Sequence, residues 1–182
     1  GGFPGPFRDL LGIWAEEVDV LCADDEVPVE AAPENGASLS GTYRAREFCE
    51  LVHPAGARVL ARYAGEFYDG MAAATVNTRG KGRAYYLASR NDARFQDDFY
   101  GQLIEDLALP RALGQRLPRG VTAQARTDGE REFVFLLNFN NAAVSVDPGE
   151  GGARSLPGDE PVRGPLELPP HGSAVFVRDR TG

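Results

Sequence analysis

Hydrophobic residues in the first part of the chain change from a helical to an extended pattern. Apolar side chains recur at helical spacing from Phe7 to Trp14, and Pro6 occupies a position that a first helical turn tolerates. The pattern predicts a short helix over residues 6–12 that ends near a glycine. Residues 13–21 are predicted to be extended.

A loop and a series of strands are predicted next. Residues 22–41 combine acids, prolines and small polar residues without a period, which is typical of a loop. From Gly41 onward, runs rich in β-branched and aromatic residues are separated by Gly, Pro or Asn, and the predicted strands cover 42–54, 57–64, 72–78 and 82–89. The stretches 75–78 and 83–89 carry apolar groups on both faces, which predicts that they lie inside a sheet and not at its rim.

An amphipathic helix is predicted after these strands. Asn91 or Asp92 can cap its N-terminus, and Pro110 ends it. Its apolar residues recur every fourth position, at Phe95, Phe99, Leu103 and Leu107. Strands followed by such a helix favour an α/β or α+β layer.

The last part of the chain has the pattern of a small antiparallel β domain, bounded near residues 110–118. Three strands within 121–147 are predicted to form a meander, because Asp128 and Gly129 favour a tight hairpin turn. Alternation places one set of apolar residues on a single face: Phe133, Phe135, Leu137 and Phe139. A loop over 148–165 leads to a final pair of strands within 166–177.

Composition and charge exclude several classes of protein. Of 182 residues, 42% are hydrophobic and 25% charged, close to the average of a folded soluble domain. The formal net charge of -8, with scattered basic residues, argues against nucleic-acid binding. No apolar run approaches the ~20 residues that span a bilayer, so no membrane partner is expected. Two cysteines in a domain with an ample core favour a reducing cytoplasm.

A basic, glycine-rich loop is the first candidate for chemistry. Arg79, Gly80, Lys81, Gly82 and Arg83 could surround a phosphate, but a Walker loop connects a strand to a helix. Here the flanking runs both have strand character. The pattern therefore favours the turn of a hairpin.

The cysteines and histidines do not form a predicted site. Cys49 and His53 are four residues apart in a predicted strand, which separates their Cα atoms by roughly 13 Å and prevents a nucleophile–base pair. His171 lies in a turn with two prolines and a glycine. With two cysteines and two histidines in the whole chain, no zinc site is predicted.

Acidic and aromatic residues offer two further possibilities. Adjacent carboxylates occur at 16–17, 24–26, 97–98 and 105–106, but nothing selects two of them as a glycosidase pair. Several aromatic residues could stack on sugar rings, although packing in a core or an interface is the commoner role: Trp14, Tyr43, Tyr63, Phe67, Tyr68, Tyr85 and Tyr86. The sequence predicts no catalytic, cofactor-binding or metal-ligating residue.

Three segments carry a resemblance to a known family. Residues 1–21, 57–89 and 99–107 resemble the trimerisation domain of family 42 glycoside hydrolases, the bacterial β-galactosidases. The matching positions are Pro4, Gly5, Pro6, Leu11, Gly12, Glu16, Glu17, Asp19, Thr75, Asn77, Gly80, Lys81, Gly82, Ala84, Tyr85, Tyr86 and Leu87. The later segments 120–147 and 166–177 resemble the C-terminal β domain of the same enzymes.

The resemblance implies a fold and a division into domains. Residues 1–112 would be the second half of the trimerisation domain, an α/β unit with a flavodoxin-type sheet of glutamine-amidotransferase-like topology. Residues 113–182 would be the small all-β antiparallel domain. Because the chain begins at Gly1 and contains no catalytic (β/α)₈ barrel, we expect a C-terminal part of a longer polypeptide.

The resemblance also implies a function. The parent enzyme would hydrolyse terminal β-D-galactosides by a retaining mechanism with two glutamates in the barrel, without a cofactor. This region would support a homotrimer and be inactive alone. A carbohydrate-binding module is the alternative, and an amidotransferase-like enzyme is a third possibility that rests on topology only.

Overall fold

The computed structural model describes residues 2–36, 39–149 and 152–179. The chain divides into two compact units, Gly1–Leu109 and Pro110–Gly182. Strands account for 47% of the described residues and helices for 14%.

In its described residues, the first unit contains two α-helices and seven strands. One turn of 3-10 helix, Gly5–Phe7, precedes α1. Another, Pro33–Asn35, follows β2. The elements in chain order are α1 (Arg8–Leu11), β1 (Ile13–Val20), β2 (Val27–Ala31), β3 (Thr42–Pro54), β4 (Arg58–Tyr63), β5 (Ala72–Arg79), β6 (Gly82–Leu87), β7 (Ser89–Asn91) and α2 (Ala93–Asp106).

The seven strands form one antiparallel sheet with the order β1-β3-β2-β4-β5-β6, and β7 pairs with β3. The long strand β3 is the centre of this arrangement, because it pairs with β1, β2, β5 and β7. Its bounds agree with the predicted strand over 42–54. The predicted loop over 22–41 is wrong in part, since it contains β2.

The two faces of the sheet carry separate apolar clusters. On one face, Phe95 and Phe99 of α2 pack against a large cluster that includes Tyr43 and Tyr63. On the other face, Leu11 of α1 packs on a smaller cluster of buried residues: Ile13, Val52 and Ala88. The helices therefore lie on opposite sides of the strands.

The helix α2 begins where the sequence predicts. The Asp92 side chain accepts a hydrogen bond from the Phe95 amide at 2.8 Å, which satisfies one of the free N–H groups of the first turn. Phe95 and Phe99 are buried, but Leu107, which the four-residue spacing placed with them, is exposed. The apolar stripe is therefore only partly covered.

The turn after α1 is held by a close approach to β5. Asn77 donates hydrogen bonds from Nδ2 to the carbonyls of Asp9, at 3.2 Å, and Leu10, at 2.8 Å. These bonds satisfy carbonyl groups at the C-terminal end of the helix. Gly12 follows with a φ of +64°, and a Cβ there would lie 2.8 Å from the Asn77 Cγ and 3.0 Å from the Ala57 amide nitrogen.

Gly12→Ala is expected to destabilise the first unit by about 2–4 kcal/mol, because left-handed backbone and the contact with Asn77 both oppose a methyl group. Gly80→Ala is the matched control, since Gly80 has a φ of +59° and open space around its Cβ position. The control should lose only ~1–2 kcal/mol. Equal losses in urea unfolding of the two variants would contradict the packing argument.

The α/β flavodoxin-type fold predicted for the first unit is wrong. All pairings in the described sheet are antiparallel, and α1 has only four residues. The physical reason lies in the connections: parallel neighbours need a crossover of a dozen or more residues. The segments between β3 and β4, β4 and β5, and β5 and β6 are shorter than that.

The interior position predicted for residues 83–89 is also corrected. β6 stands at the end of the described strand order and β5 is its only partner in that order. Its residues from Ala84 to Leu87 are half-buried. Apolar groups on both faces thus do not make β6 an interior strand in this chain.

The described part of the second unit contains six strands in two sheets. They are β8 (Val121–Thr127), β9 (Arg131–Asn138), β10 (Val144–Val146), β11 (Arg154–Leu156), β12 (Leu166–Leu168) and β13 (Ser173–Asp179). The larger sheet has the order β11-β13-β9-β8, and β10 pairs with β12 in the smaller one. All of these pairs are antiparallel.

Two predictions about the second unit are wrong. The hairpin of β8 and β9 forms, but β10 pairs with β12 and does not extend a meander. The predicted final pair of strands is present as β12 and β13, and β13 pairs with β9. The predicted loop over 148–165 also contains β11. Local alternation of apolar and polar residues does not indicate which distant strands pair with each other.

The phenylalanine face of β9 points away from the core. Val134 and Leu136 are buried with Phe176, whereas the alternate residues Phe135 and Phe139 are exposed. Period-two alternation places Phe135 on the outer face of β9, whereas Phe139 lies just beyond the strand.

Candidate functional site

The basic loop at the end of β5 is a hairpin turn. Arg79 pairs with Gly82, and Gly80 adopts a φ of +59° between the two strands. No helix follows the loop directly, since β6 begins at Gly82. The prediction of a hairpin in place of a phosphate-binding loop is confirmed.

Cys49 lies in the core of the first unit and is held among tyrosines. Burial raises the pKa of the Cys49 thiol, and hydrogen bonding to the Tyr68 and Tyr63 hydroxyls opposes that rise. Tyr68 donates to Asp19 at 2.8 Å, and Tyr63 donates to the Ala88 carbonyl at 2.9 Å. The pKa values of both tyrosines are raised above 10, chiefly by burial. A protonated thiol inside this cluster packs as a core residue.

His53 belongs to a different cluster. Its ring stacks on Trp14, with centroids 4.0 Å apart and planes inclined by 9°. Its Nε2 lies 2.8 Å from a Glu16 carboxylate oxygen. Cys49 and His53 therefore have different partners and do not form a nucleophile–base pair.

The adjacent carboxylates are divided among separate partners. Asp98 accepts a hydrogen bond from the Tyr43 hydroxyl at 2.9 Å, and Asp106 accepts one from Gln102 at 2.7 Å. Glu26 bridges Arg44 and Arg46. In the part of the chain that the structure describes, no group of three or more His, Cys, Asp or Glu side chains could hold a metal ion.

Most aromatic candidates for sugar stacking serve packing. Tyr43, Tyr63 and Tyr68 are fully buried, and Tyr85 packs edge-on against Phe99 at 5.5 Å. Phe67 is exposed. The polar and aromatic residues that suggested chemistry are thus largely used in contacts within the first unit.

An uncovered apolar surface surrounds β6, and we call it the β6 surface. It consists of the free edge of β6 with exposed residues of α1 and the turn before it on one side and of α2 on the other. The exposed fractions are 58% for Phe7, 45% for Leu10, 50% for Tyr100 and 62% for Leu107. Exposed apolar side chains on both sides of one strand are candidates for contact with a partner.

Comparison with known families shows which domains the two units resemble. The model of the beta-galactosidase trimerisation domain matches residues 1–110, which is more than half of the chain. The model of the beta-galactosidase C-terminal domain matches residues 120–178. The chain belongs to the family 42 beta-galactosidases.

Individual relatives of this family 42 chain agree with the match. Beta-galactosidase BglY of Alicyclobacillus acidocaldarius is 43% identical over 178 residues, which cover 98% of this chain and 26% of the relative. Beta-galactosidase Pbg of Clostridium perfringens is 42% identical with the same coverage. The chain thus spans about a quarter of the length of the curated relatives it matches.

Solved structures show the same correspondence. A beta-galactosidase from Rahnella sp. R3 superimposes with a TM-score of 0.88 and 45% identity, over 99% of this chain and 26% of that one. A beta-galactosidase from Bacillus circulans sp. alkalophilus gives a TM-score of 0.87 at 30% identity. This family 42 chain corresponds to the trimerisation and C-terminal domains of such enzymes.

Sequence reasoning identified the family but missed its exposed surface. Phe7 and Leu107 were assigned to helical packing stripes, and Tyr100 was not singled out. Tyr100 lies next to Phe99 in the helix, and only the unusual width of the apolar sector around α2 could have indicated it. No described helix is both long enough and apolar enough to cross a membrane.

Proposed function

We propose that this chain is the non-catalytic assembly and support region of a beta-galactosidase. The observation that carries the proposal is the match of 1–110 and 120–178 to the trimerisation and C-terminal domains, which together account for a quarter of the relatives' length. Hydrolysis of terminal β-D-galactosides would take place in a catalytic barrel, by a retaining mechanism with two glutamates. The assembly partners are further copies, in a homotrimer.

The contacts of the polar side chains support a structural role. Groups that could act as nucleophile, acid or base are engaged by different neighbours, as Glu16 is by His53 and Asp19 by Tyr68. Retaining glycosidases need two carboxyl groups about 5 Å apart across a sugar site. We propose domains 1–112 and 113–182 with no catalytic residue, cofactor or metal in either.

The cysteines support a reducing cytoplasm as the location. Cys22 is exposed and Cys49 is buried, and both are free thiols. An exposed unpaired thiol is compatible with a reducing compartment and is a liability in an oxidising one.

One observation favours carbohydrate binding as a second candidate. The outer face of the sheet β11-β13-β9-β8 exposes Phe135 and Leu156, and Phe139 is exposed just after β9. Aromatic rings on an open sheet face could stack on sugar rings. Calorimetric titration with galactose-containing oligosaccharides distinguishes the candidates, because a support region releases no heat of binding.

A replacement experiment tests the leading proposal. In the Rahnella sp. R3 enzyme, the quarter that matches this chain is replaced by these 182 residues. The resulting chimera is compared with the intact Rahnella enzyme, with the Rahnella enzyme lacking that quarter and with the 182-residue chain alone. Only the chimera and the intact enzyme should hydrolyse a chromogenic galactoside and share one oligomeric mass by light scattering. Turnover by the chain alone at about 1 s⁻¹ or more, or a folded but inactive chimera, would overturn the proposal.

A further inference from the structure

The connection between β2 and β3 contains the one Asn-Gly dipeptide of the chain, Asn35 followed by Gly36. Asparagine is among the residues that limit the chemical lifetime of proteins. The amide nitrogen of the next residue can attack the side-chain carbonyl carbon of an asparagine, and glycine hinders this attack least because it has no Cβ. The dipeptide is therefore the position in this chain where the reaction meets the least steric resistance.

The reaction at this dipeptide needs no reagent other than water. The Gly36 nitrogen forms a bond to Cγ of Asn35, the bond from Cγ to Nδ2 breaks, and Nδ2 leaves as ammonia with the proton that the Gly36 amide loses. The product is a five-membered cyclic imide. Water then adds to either imide carbonyl and opens the ring to aspartate or isoaspartate. Gly36 is exposed, so water reaches this position.

The folded turn holds the Asn35 side chain away from the Gly36 nitrogen. Asn35 is only 7% exposed and is the last residue of the 3-10 turn Pro33–Asn35. Its Nδ2 donates a hydrogen bond to the Ala32 carbonyl at 2.5 Å, and its Oδ1 accepts one from the Leu39 amide at 3.3 Å. Ring closure requires the side chain to leave both partners and turn toward Gly36. The fold thus opposes a reaction that the sequence favours.

Two arginines of β4 hold this turn against the sheet. Arg58 donates from Nη1 to the Glu34 carbonyl at 2.6 Å, and a Cβ at Gly36 would lie 3.3 Å from the same Nη1. Arg62 donates from Nη2 to the Glu34 carboxylate at 2.5 Å. Contacts of exposed charged side chains are individually weak, so the turn can open without unfolding of the whole unit.

We propose that Asn35 is a deamidation site, which the folded turn protects and local opening of the turn exposes. A carboxylate at position 35 cannot donate to the Ala32 carbonyl, and it places a second acceptor against that oxygen. Isoaspartate also lengthens the main chain by one methylene group. Ala32 is buried with Val59 and Ala72, and its amide donates to the Leu60 carbonyl at 2.9 Å. Deamidation therefore weakens the attachment of the segment next to β2 irreversibly.

Peptide mass spectrometry measures the reaction, because each conversion exchanges the mass of ammonia for that of water. The 182-residue chain is incubated at mildly alkaline pH, folded in buffer and unfolded in urea. Asn35 should convert at least roughly tenfold more slowly in the folded chain. In urea, Gly36→Ala should slow the conversion by at least roughly tenfold, since a methyl group hinders the attacking nitrogen. Equal rates in buffer and urea, or faster conversion of another asparagine in urea, would overturn the proposal.

An arginine variant tests whether the turn itself provides the protection. Arg58→Ala should raise the rate of conversion in the folded chain roughly threefold or more, because it removes the hydrogen bond to the Glu34 carbonyl. Arg90→Ala is the matched control: Arg90 is also exposed and donates to the Glu47 carboxylate at 2.6 Å, on the strand β7. Its rate should equal that of the unmodified chain. An unchanged rate in Arg58→Ala, or an equal increase in both variants, would contradict protection by the turn.

Discussion

Phe95→Ala should lower the free energy of unfolding of the first unit by about 3–5 kcal/mol, since it removes a buried ring from a close-packed core. Phe95 contacts Tyr43 edge-on at a centroid distance of 5.2 Å and stacks on Phe99 at 5.8 Å. The loss of α2 packing would expose the face of the sheet on which the large apolar cluster lies. Urea unfolding should show a midpoint lower by at least ~1 M.

The single tryptophan makes this measurement specific to the first unit. Trp14 lies in β1 and is the only tryptophan of the chain, so its fluorescence follows the unit that contains Phe95. Tyr100→Ala is the control, because its ring is half exposed on the same helix and its loss should cost less than ~1 kcal/mol. A control as unstable as Phe95→Ala would show that burial does not decide the effect.

Asn138→Ala should destabilise the second unit by about 2–4 kcal/mol, because buried carbonyl groups lose their donor. Asn138 is buried, and its Nδ2 donates to the carbonyls of Ala142, Leu168 and Pro169 at 2.9, 3.2 and 2.9 Å. Its Oδ1 accepts from the Asn140 amide at 2.9 Å. One side chain thus connects two loops at the end of β9.

Far-UV circular dichroism detects this change, because both units contribute strands to the signal. Asn141→Ala provides a matched control, since Asn141 is exposed and its one described hydrogen bond joins it to His171 at 2.7 Å. That variant should lose less than ~1 kcal/mol. If Asn138→Ala also lost less than ~1 kcal/mol of unfolding free energy, water would replace the buried amide without cost.

Local signals in the sequence predicted where the two α-helices of the first unit begin or end. Asp92 caps α2 because a short acidic side chain reaches the amide three residues on, a property of the local chain. Gly12 ends α1 in a left-handed conformation that glycine adopts without strain. Such features depend on a few consecutive residues, so sequence reasoning could identify them.

Contacts between distant segments could not be derived in this way. β2 contains Pro28 and an acidic residue, which weaken its strand signal, yet it lies between β3 and β4. Pairing of β10 with β12 depends on how the second unit closes, and the alternation of each strand fits either partner. The same limit applies to the wrong α/β assignment: the flavodoxin-type sheet was implied by the family resemblance, and local patterns gave no strand pairing that could correct it.

Predictions about function also depended on whether neighbouring or distant residues decide the outcome. Single residues such as Cys49 and His53 could be assessed from strand spacing, and the structure places them in separate clusters. The β6 surface could not be predicted, because exposure of Leu10 or Leu107 depends on which segments are present around them. Apolar periodicity indicates that a residue needs a partner but not whether the partner lies in the same chain.

The central position of β3 has a consequence for the order of folding. Its neighbours β1 and β7 lie far before and far after it in sequence, so the sheet closes only when both ends of the unit have been synthesised. High contact order of this kind slows folding, since loop-closure entropy is lost before the pairing is complete. Nascent chains of this unit therefore spend longer with unpaired strands than a helical domain of equal length.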